Sequence, residues 1–141
     1  MQPELLQSYL DTDYILYPDS LSPNFKTIIL TINKTNPEIN QLLLEIQHTT
    51  YLFLTAWNCY SQSQTLSENY SQNENLEKFL KSQKMLFVKA LGKSKNSTWE
   101  EESFCIFGVD LSKSMEWARK YKQTAFLWGE LYAPTQLHWV H

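Results

Sequence analysis

From Thr50 to Trp57 the chain is nearly continuously apolar. Alternate residues of a strand face opposite ways, so apolar side chains at both parities require cover on both faces. This segment is therefore expected to be a central strand in a layered fold. A chain of 141 residues has enough material for one such core, and no Gly/Ser linker or low-complexity tract divides it; only three glycines occur. One domain spanning residues 1–141 is the expected organisation.

The flanking patterns supply the layers. Pro3 suits the first turn of a short helix reaching about Leu10, because its missing N–H would have had no intrahelical partner. Asp13 to Tyr17 and Lys26 to Asn33 read as strands of an antiparallel pair, separated by Pro18 and the Ser22-Pro23-Asn24 turn. From Pro37 to Gln47, Ile39, Leu42, Leu43 and Ile46 follow helical spacing. Thr65 and Glu68 have capping-box spacing, which predicts a helix from Leu66 to Ser82. Met85 to Leu91 and Ser103 to Val109 form an expected hairpin around a polar turn from Gly92 to Thr98. Asp110 can cap a helix whose stripe is Leu111, Met115, Ala118 and Tyr121. Thr124 to Trp128 and Gln136 to Val140 close the chain as strands. The resulting order, (α)ββαβαββαββ, indicates an α+β protein with a mixed sheet.

Thr27 to Asn58 and Phe104 to Glu130 each read strand, turn, helix, strand, and each ends on an aromatic-polar corner. If both are right-handed crossovers, Trp57-Asn58 and Trp128-Gly129-Glu130 are expected along one end of the sheet.

Composition removes several function classes. Hydrophobic residues make up 43% and aromatic residues 14%, too many for a disordered chain. No apolar run is long enough for a membrane helix. Residues Met1 to Asp13 put no Lys or Arg before an apolar stretch and carry Glu4, Asp11 and Asp13, unlike a secretory signal, so a cytoplasmic location is expected. Cys59 and Cys105 form no CxxC pair or ligand cluster, and neither a metal site nor a cofactor motif is expected. The net charge of −3 is unevenly spread. Residues Lys78 to Lys95 contain six lysines and no acid, a cluster that can attract nucleic acid or form a solvated rim beside Glu100, Glu101 and Glu102.

Polar residues where apolar ones are expected mark a candidate site. Along one face of the helix after Thr65 lie Asn69, Asn73, Leu76 and Leu80. A buried amide without partners costs about 1–3 kcal/mol, so these amides meet polar partners or line a wet pocket, unless the face is rotated and Leu66 and Tyr70 point inward. Trp57 and Asn58 end the apolar strand, either as a stacking ring and ligand-reading amide or as a core tryptophan and turn residue. Strand alternation sets Glu101 and Ser103 on one face, where Glu101 could serve as acid or base; a wholly exposed acidic triplet is the plainer alternative. His48, His138 and His141 fall in no HExxH, GxSxG or P-loop spacing, and no base is identifiable for Cys59.

The segments Thr55-Ala56-Trp57-Asn58, Leu66-Ser67-Glu68-Asn69 with Asn73 and Leu76, Trp99 with Glu101-Glu102-Ser103-Phe104 and Gly108, and Gln123-Thr124-Ala125 with Trp128-Gly129 follow at spacings that resemble the bacterial domain-of-unknown-function family numbered 3293. Cys59 stands where the family pattern continues with proline. The resemblance picks out Trp57, Asn58, Asn69, Asn73, Glu101 and Gln123, with Glu101 favoured over Glu102 by its spacing to Ser103 and Gly108. It brings no activity with it, so whether the protein is an enzyme stays open.

Three readings compete. The first is a pocket for a small polar molecule such as a nucleotide or phosphorylated metabolite, in which Trp57 stacks, Asn58, Asn69, Asn73 and Gln123 bind and Glu101 acts as acid or base. The second is an interaction module, with homo-oligomers built on the edge strand Gln136 to Val140. The third, least favoured, is nucleic-acid binding through Lys78 to Lys95.

Overall fold

A computed structural model describes residues 3–96 and 98–141. Met1 and Gln2, and Ser97 of the expected turn, lie outside the described residues. The elements run α1 (Pro3–Leu10), β1 (Thr12–Leu16), β2 (Ile28–Leu30), α2 (Pro37–Ile46), β3 (Thr50–Leu54), α3 (Leu66–Ser82), β4 (Leu86–Ser94), β5 (Glu100–Phe107), α4 (Leu111–Lys120), β6 (Ala125–Glu130) and β7 (Gln136–Trp139). The expected α+β class and element order are both present.

The seven strands form one sheet in the order β2-β1-β4-β5-β3-β6-β7, with every ladder antiparallel where a mixed sheet is expected, because the strands joined by each crossover are never neighbours and at least one strand of opposite direction lies between them. The sheet curls until its two edges approach. There Ile32 makes a parallel bridge to Thr135, with Asn33 N–H donating to the Thr135 carbonyl at 2.7 Å. β2 is shorter than the apolar pattern predicts because Asn33 turns into the left-handed region at φ 68° and leaves the strand line.

Two cores lie on the sheet's two faces. On the outer face α3 and α4 pack Leu76, Leu80, Trp117 and Ala118 against Leu52, Leu54, Ile106 and Trp128. The buried face of α4 is turned from the expected stripe toward Trp117, while Leu111, Met115 and Tyr121 are only partly buried. On the inner, concave face α2 sets Ile39, Leu42 and Leu43 against Leu16, Tyr51, Cys105 and Phe107. β3 is thus buried on both faces, as its apolar run requires.

The helix ends follow local chemistry. The Asn36, Thr65 and Asp110 side chains accept from the backbone N–H groups of Ile39, Glu68 and Lys113 and cap α2, α3 and α4. The Glu68 carboxylate takes its bond from the Thr65 hydroxyl, at 3.0 Å.

The expected placing of the two aromatic corners is also corrected. β3 and β6 are antiparallel, and Thr50 pairs with Glu130. Trp57-Asn58 and Trp128-Gly129-Glu130 therefore sit at opposite ends of the sheet, because the helix between β5 and β6 crosses over β3 and brings β6 back in the reverse direction to it. The Glu130 end is filled: the Tyr51 hydroxyl bonds Thr135 at 2.7 Å, and Gly129 leaves the space that the Tyr51 ring occupies.

Candidate functional site

The other end of the concave face is open. β1, β5 and β6 begin there and β3 and β4 finish there, with α1 and the 58–63 loop over the mouth. Together they enclose a cavity of about 710 Å³, whose walls include Tyr9, Tyr14, Phe53, Thr55, Trp99 and Leu127. That volume suits a small-molecule site of roughly 300–1,000 Å³.

Glu101 reaches this cavity because strand alternation turns it inward with Ser103, whereas Glu102 is exposed on the opposite face. Among the described residues no hydrogen bond or ion pair engages the Glu101 carboxyl. Burial pushes its pKa up to about 8, since desolvation disfavours the charged form. Two tyrosines stand close to it. Burial pushes the Tyr9 hydroxyl up to about 12, the Glu101 charge adds to this and a Ser61 hydrogen bond opposes it. Burial also raises Tyr14, with smaller contributions from Tyr9 and Glu101; its hydroxyl donates to the Tyr9 carbonyl at 2.7 Å. Glu4 and Asp11 are the other charged groups of the lining, and among the described residues no Lys, Arg or His belongs to it.

The amides singled out in the sequence have a different situation. Asn69, Asn73, Leu76 and Leu80 are the buried residues of α3, while Leu66 and Tyr70 are exposed. The Asn73 side chain accepts from Ala56 N–H at 3.1 Å and donates to the Glu102 carbonyl at 3.2 Å. Asn69 accepts from Asn58 N–H at 2.8 Å and donates to the Asn58 Oδ1 at 3.0 Å. That same Oδ1 accepts from Gln64 N–H, and Gln123 donates to the Trp57 and Tyr121 carbonyls. These bonds fasten the stretch from Ala56 to Gln64 to α3 and to the entry of β6. They also explain why β3 stops at Leu54: the next backbone groups find side chains rather than a neighbouring strand.

The fastened loop is conformationally costly. Asn58, Tyr60 and Ser61 adopt φ of 46°, 55° and 59°, left-handed values that side chains other than Gly and Asn rarely take. Strain of this kind persists where surrounding bonds over-determine it. Cys59 adds a bond from its thiol to the Gln72 Oε1 at 2.9 Å.

Of the six residues named from sequence, Glu101, Asn58 and Gln123 line the cavity. Asn73 borders a shallower groove on the other face, and neither depression includes Trp57 or Asn69. Trp57 is buried, with its ring edge-on to Tyr70 at 5.1 Å. Sequence reasoning missed Tyr9 and Tyr14. Tyr14 alternates with Thr12 and Leu16 on the inner face of β1, a local pattern that does not reveal Glu101 as its neighbour across the sheet.

The features behind the other two readings lie at the surface and along one sheet edge. Lys81, Lys93 and Lys95 pair with Glu77, Glu100 and Asp13 at the surface. The edge strand β7 is half-buried along its length, and Tyr9 of α1 packs edge-on against Trp139 at 5.5 Å. His138 stacks on Phe126, and the described residues contain no cluster of potential metal ligands. Among them, no helix is long and apolar enough to cross a membrane.

A curled antiparallel sheet, helices on its outer face and a cavity at one end define the class: an α+β protein with a one-ended concave pocket. The chain belongs to the family described as Protein of unknown function (DUF3293), whose model matches residues 54–126. The matched stretch carries Glu101 and the whole amide set, while α1 and β1, with Tyr9 and Tyr14, lie before it. No curated protein and no solved structure matches the chain.

Proposed function

We propose that the concave cavity binds a small molecule whose polar head is read by Glu101, with Asn58 and Gln123 in its wall and Asn69 and Asn73 holding the loop at its mouth from behind. One observation carries this reading: a carboxyl without a protein partner faces a cavity of ligand size. A partly buried carboxyl that no protein group engages is free to take its hydrogen bonds and counter-charge from a ligand. The amides support the reading indirectly, because their hydrogen-bonding capacity is spent on the strained loop at the mouth. They act as positioning residues. The same cavity offers a phosphate no cation among the described residues, so nucleotides and phosphorylated metabolites are the poorer part of the expected ligand class.

A thermal-shift screen of small polar compounds tests the reading. A compound present at about 100 times its Kd stabilises the fold by about 2.7 kcal/mol. The expected hit raises the Tm of the native chain and much less that of Glu101→Gln. Hits whose shift is indifferent to Glu101→Gln and to cavity-filling Ala125→Phe would overturn it.

A further inference from the structure

We propose that the cavity selects organic cations, in particular a primary amine carried on an apolar or aromatic body. This inference rests on the cavity being a binding site and adds the charge class of its occupant. The lining combines the carboxyl groups of Glu101, Glu4 and Asp11 with the rings of Tyr9, Tyr14 and Phe53, and among the described residues it contains no basic side chain. An anion entering it meets the carboxyl groups of Glu101, Glu4 and Asp11 and, among the described residues, only neutral hydrogen-bond donors to set against them. A cation gains the carboxylate as counter-ion and aromatic faces that attract positive charge within about 6 Å.

The cavity's proton chemistry agrees with this choice. The ionisable groups facing Glu101 are Glu4 and Tyr9 from α1, Asp11 after it, and Tyr14 from β1; β3, β4, β6 and the 58–63 loop present none. The two tyrosines stay neutral throughout the physiological range, with Tyr9 pushed up to about 12 and Tyr14 raised further. Burial keeps Glu101 protonated in the empty cavity near neutral pH. An arriving ammonium stabilises the carboxylate, so the Glu101 proton leaves to solvent as the cation binds. A primary alkylamine itself stays charged up to about pH 10. Affinity is therefore expected to rise about tenfold per pH unit between pH 6 and 7 and to level off above about pH 8, with nearly one proton released per amine bound at pH 7.

Three probes of similar size separate the possibilities: phenethylamine, 2-phenylethanol and phenyl phosphate, titrated calorimetrically into the full chain in buffers of different ionisation enthalpy. The expected result is amine binding with that pH profile and proton release. Glu101→Gln is expected to cost tenfold or more in affinity at pH 8 and to abolish the slope, while Glu102→Gln changes neither. If the alcohol or phosphate binds as tightly as the amine, or Glu101→Gln leaves amine binding intact, the cation class is overturned and the cavity remains a binding site. If none of the three binds a chain whose circular dichroism shows it folded, the cation proposal fails and the binding reading loses its support.

Discussion

The two faces of β5 handle buried polarity in opposite ways. On the outer face Asn73 reaches in from α3, and each of its amide groups has a backbone partner, one on Ala56 and one on Glu102. On the inner face Glu101 is held beside Tyr9 and Tyr14 with no hydrogen bond or ion pair among the described residues. A satisfied buried group stabilises the loop it holds. Glu101 is only partly buried and faces the open cavity, so its carboxyl is left to whatever enters there. The polar residues flagged in the sequence therefore divide into amides bonded within the protein and a carboxyl that faces the cavity.

The comparison breaks most visibly if the amides prove dispensable. Asn73→Leu leaves the Ala56 N–H buried without an acceptor and removes a second bond to β5, so urea denaturation should show a loss of about 2–4 kcal/mol. A loss below about 0.5 kcal/mol would place Asn73 among ordinary surface amides. The filled end of the concave face offers the next test. A methyl group at Gly129 collides with the Tyr51 ring, and Gly129→Ala should cost about 1–3 kcal/mol, read in the same way.

Glu101 should behave with the opposite sign. Its carboxyl titrates near 4.5 in an unfolded chain and near 8 in the fold. The folded state keeps a proton that the unfolded chain has released, so this group lowers stability progressively as pH rises from about 4.5 to about 8. Glu101→Gln removes that slope and should be the more stable protein at pH 8, by on the order of 1–3 kcal/mol. A parallel pH dependence in the two proteins would show that solvent or another group already satisfies the carboxyl. Glu102→Gln sharpens the contrast as the smallest effect. Its side chain is exposed and only its backbone carbonyl is used by Asn73 and Thr55, so stability should change by less than about 0.5 kcal/mol at any pH.

Much of the fold was legible because its determinants are local. Helical spacing with Asn36, Thr65 and Asp110 at the starts set α2, α3 and α4 close to their observed limits. Strand limits were less legible, since a strand ends where its neighbour ends. β4 reaches Ser94 rather than Leu91 because Thr12 pairs with Ser94 and Leu16 with Ala90, contacts made across more than seventy residues. In the site, the amides stood out because Asn69 and Asn73 interrupt an aliphatic stripe, and alternation selected Glu101 over Glu102. Their chemical roles were not legible, because the pattern that marks a buried amide says nothing of what it bonds.

By itself the sequence determined the order of the elements, the double-sided burial of β3 and the presence of polar groups at core positions, all consequences of side-chain periodicity along the chain. Tertiary structure decided which groups find partners. Antiparallel pairing sent the two aromatic corners to opposite ends and filled one end with Tyr51. Curling of the sheet brought α1 and β1 to Glu101 and turned the amides into ties for the loop above it. Partnership is a property of groups distant in sequence, fixed only once burial in three dimensions sets which of them lose water together.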